Sequence, residues 1–323
     1  MREPSADRPS TLPEAPSLRE GAHTLPARLA NTVAEMLGPQ GAAWLERLPE
    51  IVSGCARRWA LTLEPPFPQL SINYAAPGVR ADGAAVVLKV CIPGPEFATE
   101  AEALRLYDGR GALQLLAADP DQGALLLERL LPGTPLGALG DEQRMTGIAA
   151  KVMRRLWRKA PAEHPFPSFA DWVRHMAECA PCVLGPDTPF PNPSWIGRAL
   201  ALFEELIASA AEPVLLHGDL HQGNILAAER EPWLCIDPKG VVGEPVCETG
   251  PLLLNELPSP ADAPAVRRVL DQRVDQLAEE LGFDRARLRA WGVVRAVLAG
   301  FWTLEDHGGV WEGARACAEA LEE

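Results

Sequence analysis

The chain lacks any apolar run approaching the length of a membrane span, so no bilayer-spanning role is expected. Its first residues, MREPSADRPSTLPEAPSLREG, carry no hydrophobic segment of the kind that heads a secretory signal, and the cytoplasm is the expected compartment. Basic residues are in deficit: 30 Lys and Arg against 44 Asp and Glu give a formal net charge of −14. That balance disfavours nucleic acid as a partner, because phosphate neutralisation needs clustered cations, whereas a cationic small molecule suits it. The seven Cys are odd in number and lie mostly in apolar segments, as reduced buried thiols do. Cys179 and Cys182 form a lone CxxC with no second pair and no pair of His at matching spacing, so no zinc site is expected. A G-x-G-x-x-G phosphate cradle is also absent.

The 323 residues present are enough for two lobes with buried cores. The rest of the chain is organised around Val214 to Gly240, VLLHGDLHQGNILAAEREPWLCIDPKG. One apolar run leads into His217, Gly218 and Asp219; a second, Trp233 to Ile236, delivers Asp237. Asn224 stands five positions after Asp219, the D-x-x-x-x-N spacing of a kinase catalytic loop. The residue types fit phosphoryl transfer. A carboxylate such as Asp219 can accept a hydroxyl proton. An amide oxygen from Asn224 and a carboxylate from Asp237 suit Mg²⁺, a hard ion that prefers oxygen.

Residues 1–25 read as a flexible tail rich in Pro, Ser and charge. Ala27 to Leu37 and Ala42 to Leu61 have helical periodicity, broken at Gly38-Pro39. Leu70 to Tyr74 and Ala84 to Ile92 read as strands, with AAPGVRADG between them as the loop expected over the nucleotide, and Asn73 or backbone N–H groups nearby as the substitute for a Gly-rich cradle. Val86 to Val90 resembles the V-A-I-K strand, with Lys89 as its lysine. Glu96 to Tyr107 reads as a helix on which Glu96 and Glu100 share a face; Glu100, one turn before Leu104, is the expected partner of Lys89. The strand ending Glu128-Arg129-Leu130 leads to Pro132-Gly133 and is the expected hinge, where backbone near Glu128 and Leu130 would meet adenine. From Asp141 onward the pattern is mainly helical, with Ser168 and Asp284 as caps.

The boxes HGDLHQGNIL at 217–226 and IDPKG at 236–240, with GEP at 243–245, GPLLLN at 250–255, LRLYDGRG at 104–111 and LLLERL at 125–130, resemble bacterial aminoglycoside phosphotransferases, in particular the streptomycin 6-phosphotransferase and hydroxyurea phosphotransferase branch. Gly218 stands where protein kinases have Arg, and Pro238 replaces the Phe of D-F-G. The resemblance runs from about Pro26 to the C-terminus. It implies an α/β (α+β) protein-kinase-like two-lobed fold: a small β-rich N-terminal lobe over residues 26–131 and a larger, mostly helical lobe over 132–323.

It further implies transfer of phosphate from ATP, with Mg²⁺, to a hydroxyl of a small cationic acceptor such as a streptomycin-type aminoglycoside. Asp219 would be base or orienter, Asn224 and Asp237 the metal ligands, and Lys89 the phosphate-binding cation. Another metabolite or hydroxyurea is the alternative acceptor; a catalytically inactive nucleotide-binding protein is a third reading, disfavoured by the joint presence of these four residues. His217 is expected to support the loop from behind and His221 to be structural. Lys239, Glu244, Trp302, Glu305 and Asp306 are candidates for the acceptor side, each with a structural role as the open alternative.

Overall fold

The computed structural model describes residues 25–70, 72–92 and 94–322, so all but the last residue of the expected tail lies outside it. Helix α1 (Ala27–Arg58) bends at Gly38, where φ is 51° and ψ −128°. Gly41 permits the bend: a Cβ there would lie 2.3 Å from the Val33 carbonyl oxygen. The two halves are the helices expected on either side of Gly38-Pro39. Leu29, Val33, Leu45, Leu48, Ile51 and Cys55 form their apolar stripe and bury it on one face of a sheet, against Tyr74, Ala76, Leu88 and Val90.

That sheet holds β1 (Leu61–Leu63), β2 (Tyr74–Arg80), β3 (Ala85–Val90), β4 (Leu115–Asp119) and β5 (Ala124–Glu128) in the order β1-β2-β3-β5-β4, each pair antiparallel. The second strand does not run from Leu70 to Tyr74 as expected; it begins at Tyr74 and carries Pro77 and Gly78 in its middle. Those two residues mimic a turn in the sequence. The actual turn chemistry is at Asp82-Gly83, where the Asp82 carboxylate accepts the Ala84 N–H and Gly83 has a φ of 88°. The segment that borders the Lys89 cavity is therefore the β1–β2 connection, with Gln69, Leu70, Ile72 and Asn73, and not the β2–β3 hairpin.

Helix α2 (Pro95–Tyr107) starts on a proline, which needs no N–H partner in a first turn, and packs Ala101, Leu104 and Tyr107 into the larger core. Beyond β5 come β6 (Pro132–Pro135), α3 (Glu142–Leu156), α4 (Phe169–Val183), α5 (Pro193–Ala208), β7 (Val214–Leu216), β8 (Ile225–Ala228), β9 (Trp233–Cys235), β10 (Val241–Gly243), α6 (Thr249–Leu254), α7 (Ala263–Leu281), α8 (Arg285–His307) and α9 (Glu312–Glu322). The caps are specific: Asp141, Asp262 and Asp284 accept the N–H three residues on, and Ser168 and Asp171 form a reciprocal capping box.

The axis of this lobe is α8, buried on every side from Trp291 to Phe301. A helix apolar all round must be surrounded; α5, α6 and α9 do so. Strand β10, only three residues long, and helix α9 are not among the elements read from the sequence. Among the described residues no helix is long and apolar enough to cross a membrane.

Candidate active site

Strand β3 presents Lys89 toward α2, where Nζ donates to both carboxylate oxygens of Glu100 at 2.6 and 2.8 Å and to Asp237 Oδ1 at 3.1 Å. Desolvation penalises the Lys89 cation, but the two carboxylates outweigh it and raise its pKa. For Asp237, desolvation pushes the carboxyl up; the Lys89 charge and hydrogen bond, helped by Lys239, more than reverse this and hold it below its ordinary value. Asp237 also has a φ of 57°, a left-handed backbone uncommon for a residue with a side chain. Such strain concentrates where the surrounding structure must aim a functional group.

The His217-Gly218-Asp219 segment follows β7, and β10 pairs with that strand. His217 is fully buried behind it. Its Nδ1 accepts the Asp219 N–H at 3.2 Å and its Nε2 lies 2.8 Å from the Ile236 carbonyl oxygen, so the neutral ring protonated on Nε2 satisfies both contacts and ties the Asp219 loop to the Asp237 loop. Burial pushes its pKa down to about 4, in keeping with a structural neutral imidazole. Glu248, also fully buried, accepts the His217 and Gly218 N–H groups at 2.6 and 2.9 Å, and burial pushes its carboxyl up to about 7. Asn224 donates Nδ2 to the Asp219 carbonyl at 3.0 Å. That bond fixes the amide and leaves Oδ1 as a ligand, while Lys89 engages only one Asp237 oxygen. Two neighbouring free oxygens of this kind fit a hard divalent cation.

Lys89, Glu100, Asp219, Asn224 and Asp237 line one cavity of about 360 Å³. A second cavity, of about 500 Å³, opens on the far side of Asp219 and is lined by Trp172, Lys239, Arg295, Trp302 and Asp306 among others. Lys239 borders both and pairs across the cleft with Glu96 at 2.9 Å.

Most of the other sequence candidates lie outside these two cavities. Glu244 is buried and spent on Arg287 (2.8 and 2.6 Å), Trp291 Nε1 (3.0 Å) and the Ala211 N–H (3.3 Å), so it has no free oxygen for an acceptor. Glu305 turns away from the cavity that Trp302 and Asp306 line and meets His175 Nε2 at 3.1 Å; it is one helical position off the lining face. The Glu128 side chain is held by Arg230 at 2.9 and 2.8 Å and its N–H by the Gln114 carbonyl at 2.9 Å, which leaves only its carbonyl for a ligand. Leu130 is buried at the start of the interlobe connection. Asn73 borders the nucleotide-side cavity, but its Oδ1 accepts the Ile92 N–H at 3.0 Å and so braces the loop.

Sequence reasoning missed Arg295 and the loop-bracing role of Glu248. The signal for Arg295 was present: a single cation in the otherwise uncharged run WGVVRAVLAGFW on α8.

The family model for aminoglycoside/hydroxyurea antibiotic resistance kinases matches residues 64–307. A streptomycin 6-kinase of Streptomyces glaucescens is 33% identical over 282 residues, covering 87% of this chain and 91% of that protein. A hydroxyurea phosphotransferase of Kitasatospora aureofaciens is 36% identical over 296 residues, covering 87% and 81%. Among solved structures, a thermostable aminoglycoside phosphotransferase APH(4)-Ia in ternary complex with ADP and hygromycin B superposes with a TM-score of 0.60 over 84% of this chain and 96% of that one at 14% identity. A choline/ethanolamine kinase family protein from Mesorhizobium loti gives 0.59 over 84% and 92%, also at 14%. These neighbours share the expected two-lobed kinase-like fold, and with the sequence match they establish that the chain belongs to the aminoglycoside/hydroxyurea antibiotic resistance kinases, phosphotransferases that act on a hydroxyl.

Proposed function

We propose that the protein transfers the γ-phosphoryl group of ATP to a hydroxyl of a streptomycin-type aminocyclitol, inactivating the antibiotic. The observation that carries this reading is the position of Asp219, on the wall between a cavity with a phosphate-binding cation and free oxygen ligands and a second cavity with aromatic and acidic lining. The names of the relatives at 33 and 32% identity support the acceptor class.

In this reading Lys89, oriented by Glu100, holds the α- and β-phosphates, and the backbone from Glu128 to Leu130 faces the adenine. Asn224 and Asp237 would hold Mg²⁺, whose charge offsets that of the phosphates when it is bound. Asp219 accepts the acceptor proton as its oxygen attacks the γ-phosphorus; the new O–P bond forms as the bond to the β-phosphate oxygen breaks, and ADP leaves with the electron pair. Rate enhancement comes mainly from positioning and charge complementarity. Residues 26–131 serve as the nucleotide lobe and 132–323 as the catalytic and acceptor lobe.

Hydroxyurea is the second reading, favoured by the 36% identical relative of that name. The deciding experiment is transfer from labelled ATP to streptomycin, to hydroxyurea and to an acceptor-free blank at saturating Mg²⁺. Streptomycin-dependent label supports the proposal. Label on hydroxyurea alone moves the assignment to the second reading, and label on neither, with ATP bound, removes both.

A further inference from the structure

Arg295 enters the acceptor cavity from the middle of α8 and is only 6% exposed. Its stem is fixed: a Cβ on Gly250 would lie 2.6 Å from Arg295 Cγ, so α6 presses on it through a residue that must lack a side chain. Its guanidinium carbon lies 5.0 Å from the centroid of the Trp302 ring. The charge is nevertheless poorly satisfied. Nε and Nη1 are buried with no hydrogen-bond partner among the described residues. Nη2 lies 3.6 Å from Asp219 Oδ1, an ion-pair separation but too long for a hydrogen bond. Glu248, the other carboxylate that acts on it, spends its oxygens on the His217 and Gly218 N–H groups.

Buried guanidinium groups are ordinarily paired or saturated with hydrogen bonds, because the desolvation cost is otherwise large. A fixed, under-satisfied cation beside the proposed base is a site for an oxygen lone pair. It is also the wrong place for a cationic group. Acidic side chains lie elsewhere in the same cavity, at Glu96 and Asp306.

Resting on the acceptor class proposed above, we infer that Arg295 is a specificity-determining residue that orients the acceptor. It hydrogen-bonds an oxygen on the atom adjacent to the one that bears the accepting hydroxyl, and directs the acceptor's cationic groups away, toward Glu96 and Asp306. An acceptor that offers a hydroxyl beside a second lone-pair oxygen satisfies Asp219 and Arg295 together. A vicinal diol on a cyclitol does so, and so does the hydroxyl-and-carbonyl pair of hydroxyurea.

The test compares wild type with Arg295→Met and Arg295→Lys on streptomycin and on its analogues deoxygenated at a carbon beside the accepting one. Thermal unfolding and calorimetric binding of Mg·AMP-PNP check the fold and the nucleotide side. Loss of one charge-assisted hydrogen bond corresponds to roughly 10- to 100-fold. Wild type should show that drop in kcat/KM between streptomycin and the sensitive analogue. Arg295→Met should lose as much on streptomycin and then no longer distinguish the two, while Arg295→Lys recovers part of the discrimination. A merely structural role would lower both acceptors equally and keep their ratio; an unchanged ratio in Arg295→Met overturns the inference.

If wild type phosphorylates no form of streptomycin, the function proposed above fails separately. The same comparison is then read from binding of the two compounds to the Mg·AMP-PNP complex. An Arg295-dependent difference there sustains the inference, whereas equal binding or none overturns it.

Discussion

The Lys89 ammonium donates to both oxygens of Glu100, at 2.6 and 2.8 Å, in a pair whose members are each 6% exposed. Truncating one member of a buried pair costs about 3–5 kcal/mol when its partner is left uncompensated. Here Asp237 stays beside Lys89, so Glu100→Gln should lower stability by less than that. It should also weaken Mg·ATP binding at least tenfold, because Lys89 would then be drawn onto Asp237, its remaining carboxylate. Calorimetry with and without Mg²⁺ checks this; unchanged nucleotide affinity in a folded variant would count against the role given to Lys89.

Asp219→Ala should lower kcat by about 10²–10⁴-fold, the usual contribution of a positioned general base, while Mg·ATP still binds. Asp237→Ala should instead abolish the Mg²⁺-dependent part of nucleotide binding. The two variants therefore separate by calorimetry before any turnover is measured. Wild-type turnover in Asp219→Ala would refute its assignment as base.

Burial shifts His217 and Glu248 in opposite directions, so their contributions to stability depend on pH with opposite sign. Burial moves the His217 imidazole from 6.5 to about 4, so its contribution to stability is present above 6.5 and is lost as pH falls toward 4. Burial moves the Glu248 carboxyl from 4.5 to about 7, so its contribution is complete below 4.5 and is lost as pH rises through 7. Between those limits the two slopes offset one another. Glu248→Gln removes one of them, so the stability of the variant relative to wild type should rise with pH across the window, by up to about 1.4 kcal/mol per pH unit. Denaturant titrations at three pH values read the difference; a flat difference would rule the mechanism out.

Glu244→Gln should destabilise the large lobe by about 3 kcal/mol, since it leaves the part-buried Arg287 without its carboxylate. It should leave the KM for the acceptor unchanged, because Glu244 does not border the cavity. A raised acceptor KM at unchanged stability would return it to the site.

What was legible in the sequence was what chemistry confines to short stretches. Asp219, Asn224 and Asp237 sit within one strand-loop-strand segment, and Lys89 and Glu100 on consecutive elements, so spacing alone brings them together. Two kinds of feature were hidden. The span of β2 was obscured because Pro77 and Gly78 look like a turn while the strand tolerates them. The second cavity was obscured because its lining residues converge from α2, α4, the loop after Asp237 and α8. Local sequence cannot say which face of α8 is turned inward, so it does not separate Glu305, which faces His175, from Arg295, which lines the cavity.

The two cavities have Glu96, Asp219, His221 and Lys239 in common, so their walls are continuous. A nucleotide and an acceptor bound there are neighbours within one compartment. A single molecule joining adenosine polyphosphate to a cyclitol through a short bridge would occupy both halves after one loss of translational freedom. Such a bisubstrate ligand would gain an effective concentration in the millimolar range for its second half, and would bind more tightly than either half alone.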